Sequence, residues 1–176
     1  MSLPYQPSLL RLLHGVTALL VPLAWLTGLL VYATSDGRFG RLPVTLPGEW
    51  IDIHGSVGVL LWPVALLFGF YAITAGRGRL RHPGNGIALL ALILAIVTGK
   101  LMEEDWLRSG EFDHLVYSLH LLAWLSLTVA VALHVSSVLQ RGGLPLARSM
   151  ASLKVRSGDL PAQWLGQIRR ALPFQR

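Results

Sequence analysis

The chain has 176 residues, of which 53% are hydrophobic and 14% are charged, and its formal net charge is +6. Soluble domains average about 45–50% apolar and about 25% charged residues, so this composition excludes an ordinary soluble fold. The chain has no cysteine, which excludes disulfides, thiolate-held iron–sulfur clusters and covalent c-type haem.

Four long apolar stretches predict four membrane-spanning helices. Each one reaches or approaches the ~20 residues that cross a hydrocarbon core of about 30 Å. The first stretch is too long for a cleavable signal, so we expect it to remain as a span. Short connections favour neighbouring antiparallel helices, and we predict an all-α, up-down-up-down bundle over residues 1–143. The spans are Leu9–Thr34, Trp50–Ala75, Gly84–Met102 and Leu115–Leu139.

Residues 144–176 are predicted to form a separate basic tail. Trp164, Leu165, Ile168 and Leu172 recur at helical spacing beside polar and basic residues. This pattern is typical of an amphipathic helix at the membrane interface, and a loosely ordered tail is the alternative.

Lysine and arginine placement predicts the orientation, because cytoplasmic loops carry an excess of these residues. Four basic residues lie on one side, namely Arg38, Arg41, Lys100 and Arg108. Eleven lie on the other, namely Arg11, Arg77, Arg79, Arg81, Arg141, Arg148, Lys154, Arg156, Arg169, Arg170 and Arg176. We therefore expect both termini to be cytoplasmic and the acidic connection 103–113 to be outer. The positive charge then needs no nucleic acid to account for it.

Four histidines lie within the predicted spans, where an ionisable side chain is costly and suggests function. The topology places His14 and His134 near the cytoplasmic side, and His54 and His120 near the outer side. The four therefore form two pairs at two depths.

The spacing within the fourth span supports this arrangement. His120 and His134 are 14 residues apart, which corresponds to about 21 Å along a helix and about 40° from facing the same way. One helix can thus supply one axial ligand to each of two stacked haems, with His14 and His54 as the opposite ligands. Gly15, Gly55 and Gly58 leave bare backbone nearby.

Hydrogen bonding between helices and a non-haem metal are the alternative roles for these four histidines. Each pair offers only two ligands, with no third histidine or cysteine at its depth. A porphyrin supplies the remaining four positions, so we predict ligation of two b-type haems. His82 lies in a basic loop and is expected to be solvated. His114 is expected at the outer surface, as a plain surface residue, an alternative ligand, a propionate partner or a proton donor.

The chain resembles the bacterial cytochrome b561 family and the related cytochrome b subunits of hydrogenases and formate dehydrogenases. The resemblance covers roughly residues 9–140 and rests on three features: the segment Arg11–Gly15, the segment Ile53–Gly55, and the spacing of His120 and His134. It implies a bacterial inner membrane, or another internal energy-transducing membrane. It also implies the same haem pairing, His14 with His134 and His54 with His120.

The resemblance implies electron exchange with a membrane quinone, and we predict a diheme cytochrome that carries electrons across the membrane. Two alternatives stay open: a superoxide:quinone oxidoreductase, and a membrane anchor that connects a soluble dehydrogenase or hydrogenase to quinone. The acidic outer connection disfavours an anionic substrate, although Arg38, Arg41 and Lys100 offer a local basic patch. The basic tail slightly favours a docked redox partner, and anionic lipid accounts for it as well.

Lys100 is the one lysine inside an apolar span. It is expected either to pair with Glu103 or Glu104, or to contact a haem propionate or a quinone oxygen. For proton exchange with quinone, the outer candidates are Glu49, Asp52, Glu103 and His114.

Overall fold

A computed structural model describes residues 4–43 and 46–172 of the chain. Within those residues the secondary structure is entirely helical. The α-helices are α1 (Ser8–Val31, continued by a π-helical turn, Tyr32–Asp36), α2 (Trp50–Ile73), α3 (Arg77–Leu80), α4 (Pro83–Leu101), α5 (Glu104–Arg108), α6 (Leu115–Ser149) and α7 (Trp164–Ala171). Two short 3₁₀ helices, Ser157–Asp159 and Pro161–Gln163, precede α7.

The predicted bundle is confirmed: α1, α2, α4 and α6 are each long and apolar enough to cross a membrane. Their surfaces remain apolar all round, as expected for helices that face lipid. Leu19 is 71% exposed and Leu90 is 68% exposed. The predicted span boundaries agree to within a few residues, except that α6 continues past Leu139, is interrupted by the non-helical backbone of Gly143 and resumes to Ser149.

The four long helices form two hairpins, because α1 packs most extensively on α2, and α4 on α6. The hairpins meet in a central apolar core that includes Leu61, Leu92 and Leu127. Small residues lie beside them, namely Ala65, Ala91 and Ala130, which lets the backbones approach closely.

The two ends of the bundle carry opposite charge. We call one end the basic face: it holds the start of α1, the connection 74–82 and the tail after residue 140. The acidic face is the other end, with the connections 37–49 and 102–114. Of the nine acidic residues, only Asp159 lies at the basic face.

Local sequence accounts for several helix ends. Pro83 occupies the first turn of α4, where its missing N–H costs nothing. Gly37 ends the π-helical turn with a φ of 64°, and Gly143 bends α6 with a φ of 60° and a ψ of −160°. These positive values of φ favour glycine. The bend at Gly143 coincides with the predicted domain boundary, which itself stays a prediction.

The tail folds back onto the bundle. Its helix α7 begins at Trp164 and ends at Ala171, so Leu172 lies just outside it, and residues 173–176 lie outside the described part of the chain. Trp164 and Ile168 pack against Leu9, Leu10 and Tyr71, whereas Leu165 stays exposed. Only one side of the predicted apolar stripe therefore contacts the bundle.

Candidate functional site

One pair of histidines meets near the basic face, across the seam between the two hairpins. His14 of α1 and His134 of α6 have ring centroids 6.2 Å apart and ring planes 44° apart. Phe68 of α2 approaches His14 edge-on at 6.1 Å. Thus α1 and α6 each present one imidazole to a shared space.

A second pair meets near the acidic face. His54 of α2 and His120 of α6 have ring centroids 6.1 Å apart and ring planes 61° apart. The two pairs are the ones predicted from depth. We name them the basic-face pair (His14, His134) and the acidic-face pair (His54, His120).

A spacing of 14 residues recurs in three of the long helices and relates the two depths. In α6 it separates His120 from His134, and in α2 it separates His54 from Phe68, which contacts His14. In α1 it separates His14 from Gly28, which lies against His54. Because 14 helical residues span about 21 Å, each of these helices contributes to both layers.

The ring separations fit two imidazoles that bind one iron from opposite sides. Metal–imidazole bonds of about 2 Å, with about 1.1 Å from nitrogen to ring centroid, put two axial imidazole centroids about 6 Å apart. Among the described residues, no three of His, Cys, Asp and Glu gather into a group able to hold a metal ion. A two-ligand site therefore suits haem, whose porphyrin supplies the other four ligands.

A cavity of about 680 Å³ surrounds the acidic-face pair. Its lining is mostly apolar and includes Val21, Leu61, Leu92 and Leu127. Gly58 also lines it, and a Cβ added there would meet nothing within 4 Å. The volume lies in the range of cofactor sites, and the bare backbone leaves room for a flat ring system.

Residues 5–152 match the family model described as prokaryotic cytochrome b561. The chain belongs to the prokaryotic cytochrome b561 family. No curated protein and no solved structure matches it. As a member of this family it is a multi-pass membrane cytochrome that transfers electrons through b-type haem.

Lys100 lines the same cavity and does not form either predicted ion pair. Its Nζ lies 5.8 Å from the ring centroid of Trp62. Glu104 pairs instead with Arg108, at 3.7 Å. The reason is that α4 ends at Leu101 and the next residues are extended. Glu103 and Glu104 therefore do not lie one helical turn beyond Lys100 on the same helix.

The four candidates for proton exchange occupy different places at the acidic face. Glu103 lines the cavity, and Asp52 accepts a hydrogen bond from Arg108. Glu49 precedes α2 and is exposed. His114 stacks on Trp106 with ring centroids 4.0 Å apart. Of these four, only Glu103 lines the cavity.

His114 and His82 lie away from the two pairs. His114 hydrogen-bonds to Glu111, with Nε2 and Oε2 3.1 Å apart, and this bond lowers the pKa of the Glu111 carboxyl. His82 is exposed in the connection before α4.

The structure adds a buried polar network that the sequence analysis missed. The Asp36 side chain is only 2% exposed and pairs with Arg38 at 2.9 Å. Tyr117 donates a hydrogen bond to the same carboxylate, also at 2.9 Å. The sequence signal for this network was an acidic residue, Asp36, at the end of an apolar run. Arg38 is therefore already neutralised where it meets the cavity.

Two tryptophans connect α1 and α6 between the histidine layers. The rings of Trp25 and Trp124 stack with centroids 5.0 Å apart, and Trp25 donates to Thr128 at 2.7 Å. Both tryptophans line the cavity. Sequence analysis also missed Thr27 and Thr98, which lie beside the acidic-face histidines. The repeated dipeptide Thr-Gly was their only signal.

Proposed function

We propose that this protein is a diheme b-type cytochrome that carries electrons between the two membrane faces and exchanges them with quinone. One observation carries the proposal: two histidine pairs, each with ring centroids about 6 Å apart, lie at opposite ends of one bundle. In this proposal His14 and His134 bind one haem, and His54 and His120 bind the other.

The protein's own part is to ligate, to orient and to exclude water. Haem iron supplies the one-electron couple when it is bound. The histidines hold their rings across the seam between hairpins, so both hairpins must dock before either site is complete. The apolar core around Leu61, Leu92 and Leu127 separates the two sites and keeps water out.

Haem content of purified variants tests the ligand assignment. Wild-type protein should hold two haems by pyridine haemochrome analysis. His54→Ala and His120→Ala should each remove one haem, and His14→Ala and His134→Ala should each remove the other. His82→Ala is the matched control and should keep both. A wild-type protein with one haem, or full content in His120→Ala, contradicts the proposal.

Quinone is proposed as the exchange partner at the acidic face. The cavity there is largely apolar, and Lys100 and Glu103 also line it. The ammonium group is suited to contact a quinone oxygen or a haem propionate, and the carboxylate is suited to exchange a proton. Lys100 thus remains a proposed cofactor-binding residue.

Superoxide chemistry is proposed to be weak, because the cavity lacks a net positive lining. Arg38 is paired with Asp36, and Glu103 and Glu104 line the cavity beside Lys100. Stopped-flow mixing of the oxidised protein with a quinol analogue should reduce the haem faster than mixing with superoxide. Fast reduction by superoxide that salt suppresses and Lys100→Ala abolishes, with no reaction from quinol, would reverse this assignment.

We also propose a bacterial inner membrane with both termini in the cytoplasm, on the positive-inside rule. The remaining alternative is that this protein is the membrane anchor of a soluble dehydrogenase or hydrogenase, which would dock at the basic face. Copurification of a second subunit with the tagged protein would favour that role.

A further inference from the structure

Each histidine of the acidic-face pair has a threonine at its Nδ1 atom. Thr27 Oγ1 lies 3.1 Å from Nδ1 of His54, and Thr98 Oγ1 lies 2.9 Å from Nδ1 of His120. The threonines come from α1 and α4, whereas the histidines come from α2 and α6. Both threonines are 4% exposed. Each hairpin therefore joins its own histidine to the neighbouring helix.

Each threonine hydroxyl also lies within hydrogen-bond distance of a helix carbonyl, and this favours one tautomer of the histidines. Thr27 Oγ1 lies 2.9 Å from the Leu23 carbonyl, and Thr98 Oγ1 lies 2.8 Å from the Leu94 carbonyl. A hydroxyl has one proton and two lone pairs. We assign each hydroxyl proton to the helix carbonyl, so that each threonine oxygen accepts a hydrogen bond from Nδ1–H of its histidine. The Nε2 atom of His54 and of His120 is then the bare nitrogen that can bind iron.

A glycine follows each threonine and lets the imidazole approach. A Cβ added at Gly28 would lie 3.1 Å from Cε1 of His54, and one added at Gly99 would lie 3.1 Å from Cε1 of His120. Those distances are shorter than ordinary contacts. The repeated Thr-Gly dipeptide thus makes the same contacts with a histidine twice, once from α1 and once from α4.

The basic-face pair is built differently. Within the described residues, Nδ1 of His134 is buried and has no hydrogen-bond partner. Thr17, the nearest threonine in sequence to His14, bonds to the carbonyl of Leu13. The two sites therefore differ in the hydrogen-bond partners of their histidine rings.

We propose that Thr27 and Thr98 are positioning residues that hold both acidic-face histidines in the Nδ1–H tautomer and lower the midpoint potential of the haem at that site. The inference rests on the proposed ligation by His54 and His120. A hydrogen bond donated by Nδ1–H makes the imidazole a more basic ligand. A more basic ligand favours ferric over ferrous iron, because ferric iron carries more positive charge.

Spectroelectrochemical titration of the purified diheme protein tests the proposal. The double variant Thr27→Val/Thr98→Val keeps the shape of both side chains and removes both hydroxyl acceptors. Its acidic-face haem should show about a tenfold larger ratio of ferrous to ferric iron at a fixed potential, an upward shift of about 59 mV for one electron. The basic-face haem should not move.

Two further variants separate hydrogen bonding from packing. Thr27→Ser/Thr98→Ser retains both acceptors and should stay near the wild-type potential. Thr34→Val is the matched control, because Thr34 makes the same bond to a carbonyl four residues earlier, at 2.7 Å, and has no described histidine partner. It should leave both potentials unchanged.

Each outcome bears on the inference. Loss of the acidic-face haem alone in the valine variant, with retention in the serine variant, also supports a positioning role. An unchanged or lowered potential in the valine variant overturns it, as does equal haem loss in the serine variant. Full haem content in His120→Ala instead overturns the ligand assignment beneath it, so the two failures are distinguishable.

Discussion

Asp159 holds the tail against the start of α1, and its removal should release the tail. Its carboxylate accepts hydrogen bonds from the Tyr5 hydroxyl, from the Ser8 backbone N–H at 2.6 Å and from Gln167 at 3.0 Å. The side chain comes from 151 residues away to cap the first residue of α1, where negative charge is favourable. Asp159 is only 6% exposed.

The expected cost follows from these contacts. Hydrogen bonds to a charged group contribute about 1.5–3 kcal/mol each, and such contributions are not additive within one cluster. Tyr5 and Gln167 can turn to water when the carboxylate is removed, whereas the Ser8 N–H is buried. We therefore expect Asp159→Ala to weaken tail docking by about 3 kcal/mol, which is about a 150-fold change in the opening equilibrium.

Tryptic cleavage after Arg169 and Arg170 measures that opening, because both residues lie in helix α7 and cleavage there follows the population of the open form when reclosing is fast. By the same relation, Asp159→Ala should be cleaved about 150-fold faster than the wild type. Asp113→Ala removes a carboxylate at the acidic face and should leave the rate unchanged. A rate for Asp159→Ala within twofold of the wild type would refute the capping argument.

The remaining predictions concern pH and orientation. Burial alone would raise the pKa of Asp159, but the hydrogen bonds from Tyr5, Gln167 and Ser8 together outweigh it and lower that pKa below its ordinary 3.8. Their stabilisation is thus fully present above pH 3.8 and is lost as pH falls through the lower folded value. Cleavage of the wild-type tail by pepsin, which is active in acid, should therefore rise only when the pH falls through the lowered pKa of Asp159. The Asp159→Asn variant cannot titrate at this position and should lack the rise. For orientation, cysteines at Gly78 and Gly158 should be shielded from an impermeant thiol reagent in intact cells, whereas one at Ser109 should react; the opposite pattern would invert the topology.

Much of the fold was predictable, because a hydrocarbon core selects long apolar runs and forces their backbones into helices. The second span begins at Trp50 as predicted. The π-helical turn at Tyr32–Asp36 was not predicted. Its last residue, Asp36, accepts a hydrogen bond from Tyr117, 81 residues away, and no local pattern indicates that contact. The extension of α6 beyond Leu139 was not predicted, because the residues after Leu139 are more polar and do not continue the apolar run from which the span was identified.

The tail shows a similar limit. An amphipathic stripe predicts a helix, and α7 is there, but the same stripe suits a lipid surface or a protein surface equally. Its docking depends on Asp159 and on Arg11, which donates hydrogen bonds to the carbonyls of Ser152 and Lys154. These contacts join positions at opposite ends of the chain, and no local pattern indicates them.

The sequence by itself determined the membrane class, the number of spans and the depth of four histidines, because these depend on hydropathy and on a rise of about 1.5 Å per residue. The haem ligation that follows from those depths stays a prediction. Only the tertiary structure decided which side chains lie within hydrogen-bond distance of the histidines. Thr27 and Thr98 are ordinary threonines in apolar helices until two hairpins pack and bring them to His54 and His120. Helical periodicity sets the level of a side chain along its own axis, whereas its partner depends on how each helix is rotated and packed against its neighbours.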